Sequence, residues 1–386
     1  MFRQIYFLCC RLISTVLSIL TALLNIHFPI RLHLFEWGDL NLTPTPLKHL
    51  AQSTLTAQWL RRLPLLQSAP PATHATRLLQ RVFANISDSD SVPYTVVDFC
   101  SGAGGPVPAI ESALNAHRSL PIMFRVSDLH PDIDAWIELS SRSENLGFFP
   151  QPVDARRLPA GARSVARREE VQEERLEKEG PWADEEVWVT GQVSALPERR
   201  VERRRDAGRK EAGVTAETKV LHLFCLAFHH FRDAEATGVV AAMLEAADAF
   251  VVVELQDRSV GCLAMMMLEG LVVLAVSWWW FWGEWGRLLL TYVLPVLPVM
   301  HTWDGLVSCL RTRTFEEMRA LIDGVLEEDR RVREKEETIT RDAEAVRSTN
   351  GLGDWTISQA RVKHTWPCGY LHATIGIRKE IRKGME

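Results

Sequence analysis

Apolar residues fall along this chain in two rhythms. Short runs of strand length occur at residues 95–99, 122–127, 220–226 and 249–255, bounded by polar or glycine-containing turns. They are rich in Val, Leu and Phe and show little polar alternation, the pattern of strands covered on both faces. A weaker run at 149–153 adds another strand, ending at Asp154. Stretches with helical spacing lie between them, including one at 107–116, and this alternation predicts a parallel sheet. Two last runs, 355–362 and 371–377, are joined through Pro367 and Gly369 and predict an antiparallel pair that closes the sheet. The expected fold is α/β, a Rossmann-like three-layer sandwich with a mostly parallel seven-stranded sheet.

Other segments break this rhythm and set the domain organisation. Residues 12–28 are mostly apolar and follow Arg3 and Arg11, so residues 1–33 read as an apolar N-terminal segment, either a membrane anchor or an amphipathic helix docked on the domain. Residues 34–90 are helical, with Pro44, Pro46, Pro64, Pro70 and Pro71 as breakers, and predict a cap before the first strand. The rest, 91–386, forms the main domain with two insertions. Residues 163–217 carry dense mixed charge and few apolar residues, as a solvated helix or disordered insertion would. Residues 260–300, after the fifth strand, are apolar and contain Trp278, Trp279, Trp280, Trp282 and Trp285. A single crossing of a bilayer there would put strands of one sheet on opposite sides, and Glu269, Pro295 and Pro298 interrupt the run. The block is therefore expected to dip and return, to lie in a membrane interface, or to form a helical lid whose aromatic side chains fill a pocket. Downstream, Thr314 and Glu317 have capping-box spacing for a helix through Leu326, and residues 304–308 read as a loop re-entering the core.

Composition narrows the function classes. The net charge of −5 over 386 residues gives no polyelectrolyte signal, which disfavours nucleic acid as a partner. The seven cysteines have no CxxC spacing and suggest neither a disulfide framework nor a zinc site.

The chemistry concentrates where the first strand ends, in Asp98-Phe99-Cys100-Ser101-Gly102-Ala103-Gly104-Gly105-Pro106. A glycine turn at the carboxyl end of a strand lets a ligand lie against bare backbone. Dinucleotide sites need G-x-G-x-x-G, and the third glycine is missing here. Asp98 would repel a pyrophosphate and suits a ligand bearing an ammonium group. These residues resemble the acidic, glycine-rich first motif of the class I S-adenosylmethionine-dependent methyltransferases, small-molecule branch. Three further sites extend the resemblance. Asp128, in Val126-Ser127-Asp128-Leu129-His130-Pro131, matches the acid that binds the ribose hydroxyls. Asp154-Ala155 is similar to the pair near the adenine. Phe224-Cys225-Leu226-Ala227-Phe228-His229-His230-Phe231 resembles the fourth motif.

The resemblance implies S-adenosyl-L-methionine as cofactor, held by Asp98, Cys100, Ser101, Gly102, Gly104, Asp128, Leu129, Asp154, Ala155 and Ala227. It implies a methyltransferase; the apolar segments at 12–28 and 260–300 add the expectation of an apolar small-molecule or lipid-like acceptor and of membrane association with the catalytic domain facing the cytosol, or otherwise a cytoplasmic protein. Two alternatives stand beside it: a degenerate, membrane-associated scaffold and an NAD(P)-dependent oxidoreductase. His229 and His230 are the candidate catalytic bases for a hydroxyl acceptor, since imidazole titrates in the useful range. Adjacent residues at a strand end are expected to point apart, so no metal site is expected from the pair. Glu254, ending the fifth strand, is a candidate to orient the acceptor or to pair with Arg258.

Overall fold

The computed structural model describes residues 22–86, 89–156, 218–341 and 352–379, together with Arg11, Thr15, Ser18 and Ile19. The charged insertion at 163–217 and most of the apolar run before residue 22 lie outside the described residues.

Seven strands form one sheet: β1 Tyr94–Phe99, β2 Met123–Ser127, β3 Leu146–Phe148, β4 Lys219–Cys225, β5 Ala249–Glu254, β6 Trp355–Thr365 and β7 Gly369–Arg378. Their order is β3-β2-β1-β4-β5-β7-β6. The first five are mutually parallel, and β7 pairs antiparallel with both β5 and β6. This is the Rossmann-like sandwich the apolar pattern predicts. Every residue of β1 and β5 is buried, as befits strands covered on both faces, whereas the edge strand β6 alternates with solvent.

Alternate side chains of the central strands feed two cores. Val96, Leu223 and Val251 enter one, with helices α2 (Pro71–Ala84), α3 (Val107–Asn115) and α4 (Ile133–Ser140). Val97, Phe224 and Val252 enter the other, with α5 (Asp233–Ala246) and α10 (Phe315–Arg341). Helix α1 (Thr45–Leu60) packs on α2, ahead of β1 in the chain. The capping box of α10 is present: Glu317 N–H donates to Thr314 Oγ1 (3.2 Å) and Thr314 N–H donates to the Glu317 carboxylate (2.9 Å). The helix runs past Leu326 to Arg341.

Two expectations are corrected. The third strand ends at Phe148, not at Asp154, because Pro150 and Pro152 lack the N–H groups a ladder needs. Residues 304–308 are not a loop; they lie inside a helix, α9 (Val296–Arg311). Gly305, read as a turn residue, instead marks a close helix crossing, with Met266 Sδ 2.9 Å from where its Cβ would stand.

The apolar block forms α6 (Val260–Met267), α7 (Glu269–Trp280), the short α8 (Trp285–Leu288), a π turn (Leu289–Val293) and α9. No single helix among the described residues is long and apolar enough to cross a membrane. The pairs α6–α7 and 285–293 with α9 would pass together, but they bend by 46° and 74°. The aromatic-filled pocket is also corrected. Only Trp280 turns inward, against Ala57 and Phe281, while Trp278, Trp279, Trp282 and Trp285 face outward.

The antiparallel closure depends on one small residue. Gly376 sits opposite Phe250 in the β5–β7 register, and a Cβ on it would lie 2.1 Å from the Phe250 ring. That ring is fully buried. Gly376→Ala is expected to lower stability by about 1–3 kcal/mol, the usual overpacking range. Urea unfolding of the two proteins checks this.

Candidate functional site

The order of the sheet reverses between β1 and β4, and the candidate site lies at the carboxyl ends of these strands, where open α/β sheets bind ligands. Asp98, on β1, is 2% exposed, and its Oδ1 has no hydrogen-bond partner. Burial pushes its carboxyl up to about 8, with the Asp128 charge adding to the rise and the Ser101 hydroxyl opposing it. The Asp98 backbone is fixed from two sides, since its carbonyl accepts both the Ser101 and Ser127 hydroxyls (2.9 and 2.8 Å).

The chain then turns sharply. Cys100 takes φ 56°, Gly102 50°, Gly104 92° and Gly105 46°. At Gly104 the requirement is also steric, because a Cβ would stand 2.3 Å from Leu139 of α4. The turn is held by Trp136 Nε1, which donates to Gly102 O (2.8 Å), and by Gly102 N–H, which donates to Asp128 Oδ2 (3.0 Å). Asp128 Oδ1 accepts the His130 N–H (2.9 Å). Burial, with the Asp128, Asp98 and Asp154 charges, pushes the Cys100 thiol up. The three sequence-predicted acids therefore gather around this turn.

The remaining predicted residues are placed unevenly. Ala155 and Ala227 are buried, and Leu129 is exposed. Asp154 is clasped by Arg156, whose Nη1 also reaches Glu235 (2.8 Å). The Gln52 side chain of α1 lies over the turn, 3.5 Å from the Cβ position of Gly102. Nothing in the local sequence marked Gln52.

Beyond β4 the chain passes through Leu226 at φ 58° into a 3₁₀ turn, Phe228–His230. Here the expectation about the histidines is corrected. On this turn, unlike an extended strand, neighbouring side chains need not diverge, and the two rings lie 4.4 Å apart, tilted by 32°. His229, 2% exposed, donates its Nδ1–H to Glu254 Oε2 (2.9 Å), and its backbone N–H donates to Glu254 Oε1 (3.1 Å). Glu254 therefore holds His229; Arg258 pairs instead with Glu317 (2.8 Å).

His229 Nε2 and His230 Nε2 both face the buried carboxylate of Glu36, at 3.7 and 3.8 Å. These three side chains offer ligand atoms within 4.8 Å of one another, an arrangement that a metal ion could use. A positive charge is already there: Arg311 Nη1 lies 3.1 Å from Glu36 and 2.8 Å from Asp39. His230 Nδ1 meets Asp39 Oδ1 at 3.0 Å.

Burial opposes charge on His230, but Glu36 and Asp39 outweigh it and push the imidazole up to about 9. Burial likewise opposes charge on Asp39, and His230 with Arg311 outweighs it, holding the carboxyl well below the usual range. Burial, with Glu36 and Asp39 nearby, pushes Asp304 up to about 7, against the Trp37 and Gly38 N–H groups that point at it. Glu36, Asp39, Asp304 and Arg311 were missed from the sequence, since they sit far from any glycine motif. A cavity of about 400 Å³ adjoins the cluster, with His229, Glu254 and Arg258 in its wall.

No protein-family model matches the chain, and no curated protein matches it. Among solved structures, the plantazolicin methyltransferase BpumL, in complex with a monoazolic desmethylPZN analog and SAH, is similar over 86% of this chain and 91% of its own, at 11% identity and a TM-score of 0.40. Magnesium protoporphyrin IX methyltransferase from Synechocystis PCC 6803, with bound SAM, is similar over 90% and 99%, at 9% identity and 0.36. SCL7 of Oryza sativa is similar over 85% and 82%, at 11% identity and 0.38. These likenesses are distant. The strand order, with its antiparallel β7 and its acid-and-glycine turn after β1, is the Rossmann-like arrangement that the sequence predicts.

The raised His230 titration has a direct check. Its folded value of about 9 lies above the unfolded value near 6.5, so the stabilisation it brings is complete below pH 6.5 and is lost as the pH rises through 9. Nuclear magnetic resonance of the histidine ring protons should show one imidazole titrating near 9. Asp39→Asn should bring that titration down by a unit or more, and an unmoved titration would contradict the pairing.

Proposed function

We propose that the protein is an S-adenosylmethionine-dependent methyltransferase whose acceptor is an apolar or lipid-like molecule with a hydroxyl group, and that it works on the cytosolic side, where that cofactor is found. The observation that carries this reading is Asp98: a buried carboxyl with one oxygen unpartnered, beside a backbone turn bare of side chains. A buried polar atom of this kind calls for a ligand, and the ammonium of a methionine moiety fits it. A nicotinamide dinucleotide does not, because its pyrophosphate would meet that acid.

When bound, the cofactor supplies an electrophilic methyl on a sulfonium. The protein supplies orientation and electrostatics. Asp98 receives the ammonium, and Ser101, Gly102 and Gly104 let the ligand approach the backbone. Asp128 keeps lone pairs for the ribose hydroxyls beside the two N–H groups it accepts. Leu129, Asp154 and Ala155 border the adenine side, and Cys100 and Ala227 line the floor. His229, with its Nδ1–H held by Glu254, has Nε2 left to take the acceptor's proton, and Glu36 facing it stabilises the imidazolium. His230, with Asp39 and Arg311, completes the charge balance around Glu36.

The test follows from the raised Asp98 carboxyl, which carries a proton below about 8. Binding of an ammonium ligand must then release that proton. Calorimetric titration with S-adenosylhomocysteine, in buffers of different ionisation enthalpy, is expected to show micromolar binding with nearly one proton released at pH 7. The release should fade as the pH passes 8. Asp98→Asn should weaken binding by about tenfold or more, roughly 1.4 kcal/mol, and abolish the release. Absence of binding by the folded wild type would overturn the reading in favour of a degenerate scaffold.

A further inference from the structure

We infer that the outward apolar face of the α6–α9 insertion docks on a lipid bilayer surface, and that an amphiphilic acceptor reaches the histidine cluster from that surface. The second part rests on the methyltransferase reading; the first does not.

The insertion has more apolar surface than its own packing uses. On α7, Val273, Ser277 and Trp280 form the buried stripe, four and three residues apart. The opposite face is apolar as well, and it continues through the turn that follows. Trp278 and Trp279 are 57% and 59% exposed, and Trp282 and Trp285 are 74% and 71% exposed. A helix apolar on both sides needs a second apolar environment. An exposed patch of this kind marks an interaction site.

Two of the three charges of the block turn inward, and the third, Glu284, is half exposed between Trp282 and Trp285. Residues 260–300 carry only Glu269, Glu284 and Arg287 as charged side chains. Glu269 accepts from Gln58 on α1 (2.6 Å), and Arg287 donates to Glu284, Thr54 and Ser53. Apart from Glu284, which is paired with Arg287, the outer face is left apolar, with indole N–H groups as its polar handles. That composition suits the boundary between headgroups and acyl chains, where tryptophan concentrates. The 46° and 74° bends keep the helices from spanning, so they would lie in the interface.

A second apolar element meets the insertion at its other end, the start of α6. The run at residues 12–28 leads to His27, which bridges to Ser259, and Ile26 O accepts the Val260 N–H (2.9 Å) at the start of α6. Phe28 N–H donates to Arg258 O (2.9 Å). One anchor gives marginal membrane binding, and two give stable binding. A second copy of this chain is the competing occupant of the patch, and the vesicle experiment below separates the two.

The patch also connects to the site. Helix α9 begins at exposed Val296 and ends with Asp304, Ser308 and Arg311 in the cluster, a rise of about 1.5 Å per residue. The arm before α1 places exposed Phe35 and Trp37 on either side of buried Glu36. A polar group at the histidines would then carry its apolar remainder toward the lipid.

The test uses the full chain, phosphatidylcholine vesicles and the same vesicles with brominated acyl chains. The wild type should cosediment at low and at molar salt, because the contact is apolar, and its tryptophan emission should be quenched by the brominated lipid. A variant with Trp278→Ser, Trp279→Ser, Trp282→Ser and Trp285→Ser should keep its melting temperature but partition at least tenfold more weakly and lose most of the quenching. If that variant fails to fold, Trp282→Lys with Trp285→Lys, at the two most exposed indoles, serves in its place. A wild type that stays in the supernatant, or a folded variant that binds and quenches as the wild type does, would overturn the proposal. So would concentration-dependent dimerisation abolished by the same changes without vesicle binding. Vesicle binding by a protein that does not bind S-adenosylhomocysteine would keep the docking surface and remove the methyltransferase reading.

Discussion

Arg311 is 3% exposed, and its guanidinium cannot stand buried without partners. It finds them in Glu36, Asp39 and the Leu34 carbonyl on the N-terminal arm. Glu36 in turn faces His229, and His229 is held by Glu254 at the end of β5. One desolvated charge network therefore ties together four segments that are remote in sequence. The arm, α9, the 3₁₀ turn and β5 each supply groups that the others would otherwise leave unpaired. Removing Arg311 would leave buried Glu36 with only the two imidazoles facing it, which costs more than a surface pair contributes.

This network gives the site two unlike halves. On the β1 side, Asp98 is buried without a matching cation and holds its proton. On the β4 side, negative charge is in excess and His230 holds its proton instead. On the function proposed above, the first half receives a cationic group and the second manages a proton. A sheet whose strand order reverses between β1 and β4 sets the two side by side, and helix α1 lays Gln52 over the join. Groups with such divergent titration gather where a fold does chemistry.

The apolar insertion is joined to this arrangement rather than appended to it. Its last helix ends in Arg311, and its glycines allow close crossings: a Cβ on Gly270 would meet Thr302 at 2.6 Å, and one on Gly305 would meet Met266. The helices are thereby packed tightly enough that one face is spent inside the protein and the other is left outward.

The sheet and the glycine turn were legible in the sequence because both are local. Uninterrupted apolar runs such as Val96-Val97 and Val251-Val252-Val253 have few other stable uses, and only glycine readily takes the φ values found at Gly102 and Gly104. The order of acids at Asp98 and Asp128 follows from strand ends, so it too could be read. The third strand was misplaced because prolines at 150 and 152 decide where a ladder stops, and the pull of Phe149 and Val153 was read above them. The partners of His229 and His230 could not be read. Glu36, Asp39 and Arg311 lie some 190 residues before and 80 residues after them, and no local pattern marks a charge that will be buried. The direction of the tryptophans was equally hidden, since exposure depends on how α7 rolls against α1 and α9. Most of the strands and the glycine turn could be read from local sequence, because short-range sterics and burial specify them. The tertiary structure alone decided which charges meet, because a buried charge is satisfied by whatever the fold brings near.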